Sequence, residues 1–80
     1  MDKAEVASRT KKIIAKYLAV DERNVSETSG IYSLGADSLD VVEIAIALEE
    51  EFGIKIAEDE GKDILTVGEV IDLVFKKNPR

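Results

Sequence analysis

Ser38 is the residue in this chain whose type and setting could do chemistry. It lies in the string Leu34-Gly35-Ala36-Asp37-Ser38-Leu39-Asp40. A serine hydroxyl becomes a nucleophile only when a neighbouring base takes its proton. The chain has no His and no Cys, and no Lys adjoins the serine in sequence. A hydrolase is therefore the weakest reading. The hydroxyl suits another use, as the attachment point for a group that brings its own reactivity. A short motif of this kind is by itself more often a capping pair than a modification site. What surrounds it decides between the two.

The elements that must position Ser38 are helical. Val6, Thr10, Ile13, Ile14 and Tyr17 recur at helical spacing and predict a first helix from about Lys3 to Leu18. Residues 19–36 are a long polar loop broken by Gly30 and Gly35, with Val20, Val25, Ile31 and Leu34 placed to tack it onto a core. A second helix runs from about Ser38 to Phe52, with Asp37 as N-cap, Asp40 completing a weak capping box, and Gly53 as terminator. Residues 54–57 read as extended or irregular, and Glu58 to Asp63 as a short helix. Thr66 and Glu69 form a capping box for a last helix, whose apolar face is Val67, Val70, Ile71, Val74 and Phe75. Asn78-Pro79 stops it. The expected architecture is all-α: a four-helix bundle of three main helices and one short one, forming a single domain over residues 1–80.

The second helix is apolar on more than one side. At about 100° per residue, Val41, Ile44, Ala45, Leu48 and Phe52 share one face, the core face. Leu39, Val42 and Ile46 fall opposite, bordered by Glu43, Glu49 and Glu50. A helix buried all round would show the same surplus. Carboxylates beside the stripe favour an exposed apolar strip with an acidic rim, the pattern of a partner-binding surface. That strip begins one residue after Ser38.

Composition narrows the field further. Of 80 residues 45% are hydrophobic and only 5% aromatic, so the core is small and aliphatic. The net charge of −6 is unevenly spread: residues 37–72 hold twelve acids against two bases. Such a field repels phosphate backbones, which argues against nucleic acid, and attracts proteins with basic patches. No apolar run is long enough to span a bilayer, and Met1-Asp2-Lys3-Ala4-Glu5 lacks a signal peptide's apolar stretch. These features predict a protein that is not membrane-embedded and suit the cytoplasm, although a processed organellar protein would look alike; a monomer is expected. The acids at positions 58–63 lack the ligand spacing of an EF-hand loop, and no metal site is expected.

The run Leu34-Gly35-Ala36-Asp37-Ser38-Leu39-Asp40, continued by Val42-Glu43 and later by Ala47-Leu48-Glu49-Glu50-Glu51-Phe52, resembles the acyl carrier protein family. Lys12-Ile13-Ile14, Ile56 and Ile64-Leu65-Thr66-Val67 extend the similarity over nearly the whole chain. The resemblance implies that Ser38 carries covalent 4′-phosphopantetheine, installed from coenzyme A by a phosphopantetheinyl transferase (holo-ACP synthase). The arm's thiol would carry acyl chains as thioesters to the enzymes of fatty acid biosynthesis, which dock through basic patches. Asp37 and Leu39 would flank the attachment site. Asp37, Leu39, Val42, Glu43, Ile46, Glu49 and Glu50 would form the partner surface; the helical wheel had isolated all but Asp37. The chain itself would be no enzyme.

Gly30, Tyr32 and Ser33 depart from the family pattern, which favours an aromatic at the first position and acids at the other two. That leaves open a specialised carrier for polyketide, peptidyl or D-alanyl transfer. Tyr32 reads as a lid or packing residue. A third possibility is an unmodified helical docking module, for which replacing Ser38 is silent.

Overall fold

The computed structural model describes residues 1–61 and 64–78. Its elements are α1 (Lys3–Leu18), α2 (Ser38–Phe52), α3 (Glu58–Gly61) and α4 (Val67–Lys77). Two single 3₁₀ turns, Glu22–Asn24 and Tyr32–Leu34, lie in the long loop. No strand occurs among the described residues; an isolated β-bridge pairs Gly30 with Thr66. The described residues are thus mostly helical, with three long helices and one short one. The expected α3 extended to Asp63; the described helix ends at Gly61, and Lys62 and Asp63 lie outside the described residues. Pro79 lies outside them too, and Asn78 closes α4 by donating its N–H to Val74 O at 2.9 Å.

Each long helix starts where a side chain accepts an otherwise unpaired N–H. Asp2 accepts from Glu5 N at 2.8 Å to start α1. α1 then packs on both α2 and α4. Its buried ridge runs Val6, Thr10 and Ile14, with Leu18 half-buried behind them, each four residues on from the last. That row slants around the helix, so Tyr17 sits at its edge and is exposed, contrary to its expected core position. Phe75 is likewise exposed at the edge of the α4 face, where Lys3 Nζ lies 5.9 Å from its ring centroid and pairs with Asp72 at 2.7 Å. Leu73 takes a half-buried place instead. The core is aliphatic as composition requires: Ile14, Leu48, Ile71, Val6, Val67 and Val74 are its largest fully buried apolar side chains.

The long loop is structural as well as connecting. Val25 and Ile31 are buried and anchor it to the core. Its backbone also completes the start of α4. Val67 N donates to Ser29 O at 2.9 Å and Gly68 N to Glu27 O at 2.8 Å. Glu69 N donates to Thr66 Oγ1 at 3.2 Å, and Ile31 N returns a bond to Leu65 O at 2.9 Å. The first donors of α4 are therefore satisfied partly by a segment some forty residues earlier in the chain.

Two measurements check this junction. A Cβ on Gly68 would stand 2.9 Å from Glu27 O, a backbone atom held by the loop. Gly68→Ala is expected to lower the unfolding free energy in urea by roughly 1 kcal/mol net, since overpacking costs about 1–3 kcal/mol and the helical gain of alanine over glycine returns roughly 1. The second concerns Glu69, whose carboxyl lies below its ordinary value of 4.5 because Leu65 N and Thr66 N donate to it. A carboxyl depressed in the folded state stabilises fully above that ordinary value and loses its effect as pH falls through the folded one. The difference in melting temperature between wild type and Glu69→Gln should be largest near neutral pH and shrink on acidification below 4.5.

Candidate functional site

The segment before Ser38 is fixed in three steps. The 3₁₀ turn Tyr32–Leu34 ends at Gly35, whose φ of 104° belongs to the left-handed region that glycine adopts without strain. Ala36 is buried and pins the chain to the core. Asp37 is extended and caps α2 in a reciprocal box: Asp40 N donates to Asp37 Oδ1 at 2.8 Å, and Asp37 N donates to Asp40 Oδ2 at 3.0 Å. The box is complete where the sequence suggested a weak one. Ser38 follows as the first residue of the helix, exposed to solvent.

Among the described residues, the Ser38 hydroxyl has no hydrogen-bond partner, and the N–H groups of Ser38 and Leu39 have no acceptor. The two nearby carboxylates are each turned onto a backbone N–H of the box. An accessible hydroxyl, free helix N–H groups and the positive end of the α2 dipole fit an esterified phosphate at this position. The residues present therefore suit a phosphopantetheine linkage.

The second stripe is at the surface. Leu39, Val42 and Ile46 are 66%, 54% and 51% exposed, which excludes an α2 buried on every side. Glu43 and Glu50 are exposed beside them. Glu49 differs: it is half-buried, and its Oε2 accepts a hydrogen bond from Ile56 N at 2.8 Å. On the core face Ile44, Leu48 and Phe52 are buried, while Val41 and Ala45 are only half-buried.

Those two half-buried residues face a hollow. An open groove of about 520 Å³ begins at Ser38 and runs between α2 and the segment from Ile56 to Gly61. Tyr32, Val42, Ile46 and Glu49 border it. Behind it lies a smaller apolar cavity of about 50 Å³, itself half open, among Ile44, Leu48, Ile64, Val70 and Leu73. Groove and cavity share Val41, Ala45, Ile56 and Gly61 as a common wall. Tyr32 stands exposed at the groove rather than packed in the core. Ile56 was not separable from other loop apolars by periodicity, and Gly61 carried no side-chain signal at all. Among the described residues no cluster of acids could hold a metal ion, and no helix is long and apolar enough to cross a membrane.

Comparison with known proteins is consistent with this arrangement. The family model described as "Phosphopantetheine attachment site" matches residues 8–74. An acyl carrier protein of Sinorhizobium fredii is 49% identical over 74 residues, covering 91% of this chain and 95% of the relative. One from Rhizobium meliloti matches to the same extent. Among solved structures, the acyl carrier protein of Thermotoga maritima superposes with a TM-score of 0.81 at 30% identity, covering 96% of this chain and 91% of that one. With a serine free at a helix start and a groove leading inward from it, the chain belongs to the phosphopantetheine-attachment family of acyl carrier proteins.

Proposed function

We propose that residues 1–80 form one cytoplasmic, monomeric carrier domain in which Ser38 is the attachment residue for 4′-phosphopantetheine. The observation that carries this is the exposed hydroxyl of Ser38, the first residue of α2, without a partner among the described residues and at the mouth of the groove. A phosphopantetheinyl transferase loads it from coenzyme A. When bound, the arm supplies the thiol that holds acyl groups as thioesters, a function this chain of no Cys cannot supply itself. The chain contributes position and recognition rather than catalysis.

Recognition falls to the outer face of α2. Asp37, Leu39, Val42, Glu43, Ile46, Glu49 and Glu50 make an apolar strip with an acidic rim. Carboxylates on such a rim speed encounter with basic docking patches and give complexes that weaken with salt. A carrier visits many enzymes briefly, and rapid, weak docking suits that work. The tether in turn raises the effective concentration of its cargo at each docked enzyme. The partners under this reading are the enzymes of fatty acid biosynthesis. The loop offers a specific observation for a second reading. Gly30 stands where the family favours an aromatic, and a Cβ there would need Ser33 Oγ, 3.0 Å away, to give by a few tenths of an ångström. A carrier specialised for another acyl pathway would account for that change.

The cavity behind the groove is apolar, and small side chains, Ala45 and Val70, line it. It is where an acyl chain would shelter, with the wall between groove and cavity yielding to admit it.

Two experiments check these roles. Incubation with coenzyme A and a promiscuous transferase should add the mass of one phosphopantetheine to the intact protein, and Ser38→Ala should abolish the gain. A folded sample that gains nothing refutes the carrier, and a silent Ser38→Ala leaves the docking module standing. Loading the arm with acyl chains of increasing length should shift the amide resonances of Ile44, Leu48 and Val70 progressively and raise the melting temperature; unchanged spectra across the series would exclude the cavity as shelter.

A further inference from the structure

Three of the four aromatic side chains stand exposed: Tyr17, Tyr32 and Phe75. Lys3 lies over the Phe75 ring, and Tyr17 borders neither the groove nor the cavity. Tyr32 is the most open of the three, at 54%, and it lines the groove together with Ser38. Core packing does not account for its ring, because the buried anchor of this part of the loop is Ile31. The backbone beneath the ring is nonetheless fixed. Ile31 N donates to Leu65 O at 2.9 Å, and Gly35 N donates to Tyr32 O at 3.0 Å. Among the described residues the phenol has no hydrogen-bond partner. An aromatic side chain on fixed backbone has few torsions to lose, so it makes contact at low entropic cost.

Charge points the same way. Asp37 and Asp40 already set two carboxylates at the start of α2. A third one at position 32, the residue type that the family favours there, would repel a phosphodiester on Ser38. Hydrated, it would also give apolar groups little to pack on. Tyr32 adds no such charge and offers an apolar ring face beside an O–H donor. The group that Ser38 would carry matches that offer. In 4′-phosphopantetheine the phosphodiester is followed closely by a carbon bearing two methyl groups, and then by a hydroxyl and amides.

We propose that Tyr32 is a positioning residue for the prosthetic arm, packing its ring on the dimethyl segment next to the phosphodiester and directing the arm along the groove instead of into solvent. The occupant is the arm because its point of attachment, Ser38, lines the same groove. Beyond Tyr32 the α2 wall of the groove continues apolar through Val41, Val42, Ala45 and Ile46. This chain thus holds its arm at the groove mouth, where a carboxylate would leave it loose. The proposal rests on the carrier reading above, and its test separates the two.

The measurement is proton NMR of the full chain loaded from coenzyme A by the transferase. Nuclear Overhauser contacts are expected between the Tyr32 ring protons and both methyl groups of the arm, with none from Tyr17. The methyl resonances should lie upfield of those of free 4′-phosphopantetheine, shifted by the ring. Tyr32→Phe keeps the ring and should keep both effects. Tyr32→Ala and Tyr32→Glu should abolish the contacts and return the methyls to their free positions, with the amide spectrum of a folded chain. Methyls at their free positions in loaded wild type overturn the proposal whatever the variants do. So do shifts that persist in Tyr32→Ala, or contacts that appear only as protein concentration rises, which would assign the ring to a second copy. Loading of Ser38 with a free arm removes the role of Tyr32 alone. A folded chain that takes no arm removes the carrier reading, and the role of Tyr32 with it.

Discussion

The starting point of α2 is the constraint on which the site depends. The reciprocal Asp37–Asp40 box sets residue 38 as the first helical position, and from there the period of the helix assigns every later residue its direction. Ser38 is placed at an open helix end. Leu39, Val42 and Ile46 face out, and Ile44 and Leu48 face in. A start one residue later would leave those faces as they are, since the period alone sets them, but would take Ser38 off the first helical position and its open N–H groups. Gly35 and the buried Ala36 secure the box from the loop side, where they deliver the chain to Asp37 in extended form.

The remaining polar backbone is handled economically for so small a protein. The long loop has few regular hydrogen bonds of its own, yet its carbonyls at Glu27 and Ser29 accept the first N–H groups of α4. The strap at residues 54–57 has no neighbouring strand either, and side-chain carboxylates take two of its amides. Both irregular segments are therefore held by polar contacts as much as by apolar packing. The ion pairs from Lys3, Arg9 and Lys77 join helices at the surface, where solvent screens them and each adds little.

Much of this was legible in the sequence, for reasons that differ by residue. Asp37 and Thr66 announce helix starts because capping depends on a short side chain and a fixed spacing. The stripe of Leu39, Val42 and Ile46 is visible because nothing but geometry places residues three and four apart on one face. Tyr17 and Phe75 were misplaced because a helical wheel gives direction but not depth, and both stand at the edges of their faces. The loop's grip on α4 was invisible, since a backbone carbonyl has no residue type. Glu49 was legible only in part. Its direction on α2 follows from periodicity, whereas its bond to Ile56 depends on how the chain returns past Gly53.

The cavity behind the groove has a consequence for the physical state of the protein. A domain of this size has little stability to spare, and a half-open apolar hollow of about 50 Å³ leaves the side chains that line it short of dispersion contacts. Under the proposed shelter role, an acyl chain that fills the hollow would restore those contacts. Cargo would then behave as an exchangeable piece of the protein's interior, and the mechanical stiffness of the carrier would become a record of what it is holding.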